Sequence, residues 1–167
     1  METIYIGFSR PSGWFKPFSW AIRLLQWTSY SHVYIRVHSN SIDRDIIYQA
    51  SGLQVNFIGL DLFKSKEIII KEFPVQITPE TKIKVLQYCT DMAGKPYGIL
   101  EVFGFPWVIF NSFIGRHVNN PFSDGTNSFV CSEFVGDILK DFLGYPLPDP
   151  QNLDPKQIYE YLNKKIN

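Results

Sequence analysis

Apolar and polar residues alternate most clearly along Ser31-His32-Val33-Tyr34-Ile35-Arg36-Val37. There Val33, Ile35 and Val37 take one side and His32, Tyr34 and Arg36 the other. A period of two is the mark of a strand with unlike faces. Thr3 to Phe8 reads as a shorter strand, closed by the loop residues Ser9-Arg10-Pro11-Ser12-Gly13. After the polar turn Asn40 to Asp45, Ile46 to Ala50 forms the next strand. Ser51-Gly52 turns the chain into Leu53 to Phe57, and Ile68 to Phe73 is a further strand ending near Pro74. Four β segments with short connections between them predict an antiparallel meander.

Helical spacing governs the rest. Pro17 to Trp27 places Ala21, Leu24 and Leu25, with Trp20 beside them, on one face. Thr78-Pro79-Glu80 joins a capping residue to a proline at the first helical position, which starts a helix. Ile83, Leu86, Cys89 or Thr90, and Ala93 are its expected buried stripe, and Gly94 its stop. A helix from Val130 to Leu143 carries Phe134, Ile138, Leu139 and Phe142 at helical spacing and ends at Gly144 and Pro146. Asp154-Pro155 opens a last helix with Ile158, Tyr161 and Leu162 inward. Strands first and helices after predict an α+β class. With no repeat or linker-like shift in composition, residues 1–167 read as one domain.

Composition narrows the function more than the fold. Apolar residues make up 45% of the chain, enough for a core, while 16 basic residues balance 16 acidic ones. A formal charge of zero gives no long-range field to gather nucleic acid, so a nucleic-acid partner is not expected. Two cysteines, Cys89 and Cys131, make no disulfide framework and fit a reducing compartment. The start of the chain lacks the positive region of a secretory signal. The longest apolar run, Val102 to Ile114, holds Pro106 and Asn111 in 13 residues, too few to cross a bilayer. A cytoplasmic location without a transmembrane helix is therefore expected. Motifs for zinc, nucleotide or dinucleotide sites are missing, and the histidines and cysteines lack ligand-like spacing, so no metal or other cofactor is expected.

What remains is thiol chemistry. Cys131 lies where the free amides and positive end of a helix dipole stabilise thiolate over thiol, and the same amides can donate to an oxyanion. Read from position alone, it is equally a small buried residue. Glu133, two residues on, also suits a first helical turn as a plain capping carboxylate. Cys89, mid-helix beside an apolar stripe, reads as a small hydrophobe. A thiol nucleophile needs a base. His32 is on a well-patterned strand, His38 follows that strand beside Ser39-Asn40 as a solvated turn residue, and His117 falls in a loop. Gln49, on the next strand, can accept from an imidazole N–H through its carbonyl oxygen; Ser51 and Asp45 are weaker choices.

These segments, in this order, resemble the permuted branch of the NlpC-type papain-fold enzymes, which includes YiiX-like hydrolases, a poxvirus family and the lecithin:retinol acyltransferase group. Ser31-His32-Val33 resembles the early Ser-His-hydrophobic strand, and Tyr48-Gln49-Ala50 the strand after it. Gly94-Lys95-Pro96-Tyr97-Gly98 is similar to a Gly-x-Pro-Tyr-Asp turn. Val130-Cys131-Ser132-Glu133-Phe134-Val135 is similar to the nucleophile helix, and Leu153-Asp154-Pro155 to the proline-led final helix. Two positions depart: Gln49 stands where an acid is common, and Gly98 replaces the aspartate. The resemblance implies a permuted papain-like fold, with an antiparallel meander packed on helices. It implies Cys131 as nucleophile, His32 as base, Gln49 as orienting residue, and Tyr97, Ser132 and Glu133 as substrate-binding residues. Expected substrates are peptides or amides, cleaved through a thioester. A lipid acyl-hydrolase or acyltransferase, or a binding module that kept the fold without catalysis, are the alternatives. The aromatic positions Phe103, Phe105, Trp107, Phe110 and Phe113, with Trp14, Phe15 and Phe18, read as core or else as an acyl-chain wall in contact with a membrane surface.

Overall fold

The computed structural model describes residues 1–13, 19, 23–24, 27–96, 98, 111, 116 and 130–166. Five strands form one antiparallel sheet: β1 (Glu2–Pro11), β2 (His32–Ser39), β3 (Arg44–Ser51), β4 (Gln54–Gly59) and β5 (Glu67–Ile77), in spatial order β4-β3-β2-β1-β5. The helices are α1 (Leu60–Lys66), α2 (Pro79–Met92), α3 (Cys131–Asp137) and α4 (Pro155–Ile166).

The meander expected of the four strands after residue 30 holds from β2 to β4 and then breaks, while β1 pairs with the free side of β2. β5 does not add to β4; it pairs with β1 at the opposite edge, with Ile4 opposite Val75 and Ile6 opposite Phe73. The cause is α1, a seven-residue helix that sequence patterning does not predict. It carries the chain from β4 back across the sheet, where Phe63 packs against Tyr34 and Ile47, with Ile58, Leu60 and Ile69 around them. Both faces of the sheet are thus covered. Tyr34 is fully buried, and its ring lies so close over Gly7 that any Cβ at position 7 would overlap it. Glycine is there because the ring occupies the side-chain space.

The other face carries the main core. Ile4, Ile6 and Phe8 of β1 and Val33, Ile35 and Val37 of β2 meet Val85 and Cys89 of α2, Phe134 and Val135 of α3, and Ile158 and Leu162 of α4. The alternation read at Val33, Ile35 and Val37 is the alternation that the sheet uses.

Helix starts follow their caps. Thr78 Oγ1 accepts from the Thr81 amide with Pro79 at the first position. Asp154 Oδ1 accepts from the Gln157 amide while Gln157 Oε1 accepts from the Asp154 amide, a reciprocal capping box. The stripe of α2 differs from expectation: Val85 and Cys89 are buried, whereas Ile83 is exposed. Packing against β1 and the turn after α3, rather than spacing alone, fixes that face. The helix expected over Val130–Leu143 is α-helical only to Asp137 and widens into a π turn over Ile138–Phe142. That widening brings Ile138 and Leu139 fully into the core. Gly94 ends α2 with φ of +86°, a conformation that favours glycine. Of the helix expected over Pro17–Trp27, Ser19, Arg23 and Leu24 are described and helical. Leu24, expected on the inward face, is exposed, and Trp27 is an exposed turn residue with φ of +53°; Trp20, Ala21 and Leu25 lie outside the described residues.

Candidate active site

His32 opens β2, and Gln49 lies on β3, the neighbouring strand. Two-residue periodicity turns Tyr48 and Ala50 toward the main core and Gln49 away from it. Gln49 is 5% exposed, and its Oε1 stands 2.7 Å from His32 Nε2. A carbonyl oxygen only accepts, so that nitrogen carries the proton and Nδ1 keeps its lone pair. Burial works against charging the ring and pushes its pKa down to about 4, the Gln49 bond acting weakly in the opposite sense. At neutral pH the imidazole is uncharged and able to accept a proton. Its ring lies 6.4 Å from that of Tyr34 between centroids, the two planes 29° apart.

On the far side of Gln49, its Nε2 donates to Asn56 Oδ1 at 3.2 Å. Asn56 Nδ2 in turn donates to the carbonyls of Ser51 and Gln54, each at 3.0 Å. Sequence reasoning passed over Asn56. The available signal was an asparagine inside a strand, an environment that disfavours it.

Cys131 is the first residue of α3, and α3 packs on β2 and β3, the strands that carry His32 and Gln49. Val130, the residue before it, supplies no side-chain cap. Cys131 is 5% exposed and belongs to the cluster that contains Val33 and Ile35. Ser132 and Glu133, expected to bind substrate, are buried in the same first turn, and Ser132 Oγ has no hydrogen-bond partner. Tyr97 lies outside the described residues, as do His117, the other aromatic positions of the 101–114 segment, and Trp14, Phe15 and Phe18.

The second cysteine behaves as expected. Cys89 is buried in α2 among apolar side chains, and desolvation pushes its thiol up to about 12. His38 differs from the expected solvated turn residue. It is part of β2 and half-exposed, with Nδ1 3.4 Å from Asp45 and Nε2 3.6 Å from Asp43. Asp43 of the following turn and Asp45, opposite it on β3, are its neighbours, at the end of β2 away from His32. A cavity of about 800 Å³ lies there, lined in part by His38, Asp43, Phe57 and Leu62, and none of His32, Gln49 or Cys131 touches it. Among the described residues, no three His, Cys, Asp or Glu side chains are grouped to hold a metal ion, and no helix is long and apolar enough to cross a membrane.

No protein-family model matches the chain, and no curated protein matches its sequence. Among solved structures, its fold is similar to that of metalloprotein yiiX from Escherichia coli O157:H7. The TM-score is 0.52 at 22% identity, with 99% of this chain and 83% of that one covered. The common ground is architectural: an antiparallel sheet packed on helices in an α+β arrangement.

Proposed function

We propose that this protein is a cysteine hydrolase with a permuted papain-like fold of the NlpC type, acting on an amide or peptide bond. The observation that carries the reading is the His32–Gln49 hydrogen bond. It holds a neutral imidazole with its Nε2 proton committed and its Nδ1 lone pair available, the state that a general base needs.

In this reaction, Nδ1 of His32 takes the thiol proton of Cys131 as sulfur attacks the substrate carbonyl. The tetrahedral oxyanion accepts from first-turn amides of α3. The C–N bond then breaks, and the amine leaves with the proton from Nδ1, giving a thioester on Cys131. Water, deprotonated by the same nitrogen, attacks the thioester, releases the acid and returns the proton to sulfur. The reaction requires the Cys131 sulfur within hydrogen-bond reach of Nδ1. His32 shares the strand face of Tyr34 whereas Cys131 belongs to the main core cluster, so the packing of α3 on β2 and β3 would have to bring the two together.

The burial of Cys131 within the main core cluster favours a second reading, a binding module in which the thiol is inert. Alkylation with iodoacetamide at pH 7.5, read by peptide mass spectrometry, separates the two. The hydrolase requires fast labelling of Cys131 in the folded protein and at least about tenfold slower labelling in His32→Ala. Labelling of Cys131 as slow as that of Cys89, and indifferent to His32→Ala, would leave the binding module.

A further inference from the structure

We propose that Asn56 is a positioning residue that selects the tautomer of His32 through the side-chain amide of Gln49. The inference rests on the reading of His32 as base, and it concerns how that base is prepared. A glutamine amide presents an oxygen at one end and an NH2 at the other, and a half-turn exchanges them. With the amide reversed, Gln49 would donate to His32, the ring proton would move to Nδ1, and the basic lone pair would face the wrong way.

Something must therefore hold the glutamine one way round, and backbone carbonyls do so at one remove. The same atom of Asn56 lies 3.0 Å from the carbonyls of Ser51 and Gln54. Two acceptors on one atom require that atom to be the NH2. Asn56 Oδ1 then faces Gln49 and accepts from its Nε2 at 3.2 Å, and this leaves Gln49 Oε1 for His32 Nε2 at 2.7 Å. Gln49 and Asn56 are directly opposite on β3 and β4, so the strand register itself builds the relay. Ser51 and Gln54 flank the hairpin turn that contains Gly52 at φ +72°. The hairpin thus fixes a proton on a ring two strands away.

The plain alternative is that Asn56 only staples the hairpin, and the test separates the two. Nitrogen-15 NMR of histidine-labelled full-length protein, with the His32 signals assigned by their loss in His32→Gln, reads the tautomer directly above the ring's pKa. The native protein should show the Nε2–H form alone. Asn56→Leu frees the Gln49 amide and should convert that pattern into a mixture with the Nδ1–H form. Asn56→Asp keeps an acceptor facing Gln49 while losing both bonds to the hairpin, so it should retain the Nε2–H form. Adding Gln49→Glu to Asn56→Leu should restore it, because a carboxylate has no donor end. An unchanged tautomer in Asn56→Leu, or the same mixture in Asn56→Leu and Asn56→Asp, overturns the proposal; if Asn56→Leu does not fold, a mixture in Asn56→Asp does so alone. The readout is independent of turnover. A mixed tautomer accompanied by undiminished thiol reactivity at Cys131 would confirm the relay and count instead against His32 as base.

Discussion

A histidine held neutral by its surroundings leaves a trace in the pH dependence of folding. In the folded protein, burial brings His32 down to about 4, whereas in the unfolded chain it titrates near its ordinary value of 6.5. Between those values the unfolded state binds the proton and the native state does not, so stability falls as pH drops from 6.5 towards 4. The loss from this group amounts to at most about 3 kcal/mol. Urea unfolding at pH 7 and pH 4.5 should therefore show a larger acid loss for the native sequence than for His32→Gln. Equal losses would mean that the imidazole is not desolvated. The His32–Gln49 pairing was readable beforehand, because the two residues fall on the same side of two neighbouring, well-patterned strands. Asn56 was not, because its role exists only once the hairpin brings Ser51 and Gln54 carbonyls onto one nitrogen.

At the level of elements, what could be read and what could not divide along local and distant causes. The caps of α2 and α4 are written in neighbouring residues, Thr78-Pro79 and Asp154-Pro155, and the structure uses them. The placement of β5 is not local. Its apolar residues would suit either edge of the sheet, and α1 decides by delivering the chain to the β1 side. That makes Phe63, the one fully buried residue of α1, responsible for more than its own contact. Its ring lies 4.6 Å from that of Tyr34 and closes the second face of the sheet. Phe63→Ala should cost about 3–5 kcal/mol in chemical denaturation, as expected for a large aromatic removed from a site that cannot collapse. A cost under about 1 kcal/mol would show that α1 covers the sheet without holding it.

Seen across the molecule, the strand face that carries His32 continues into a polar network. Arg36 grips Glu72 through Nε at 2.9 Å and one terminal nitrogen at 2.7 Å, and also pairs with Asp45 at 3.3 Å. The Tyr34 hydroxyl donates to the same Glu72 carboxylate at 3.0 Å, and Arg36 lies over the Tyr5 ring. One carboxylate on β5 thus reaches over β1 to two side chains of β2 and fixes the strand from which His32 projects. Tyr34, beside His32 at one end and bonded to Glu72 at the other, links the network to the candidate site. Glu72→Ala leaves a buried hydroxyl and a guanidinium that keeps only Asp45, so it should destabilise by about 2–3 kcal/mol, discounted because the pair is partly solvated. Tyr34→Phe removes one donor and keeps the ring, and about 1 kcal/mol is expected. If the network serves the site as well as the fold, Glu72→Ala should also slow Cys131 alkylation at a temperature where the variant remains folded, through a less ordered His32. Destabilisation with unchanged labelling would confine Glu72 to holding the sheet, and Gln49 and Asn56 would remain as the groups that orient His32.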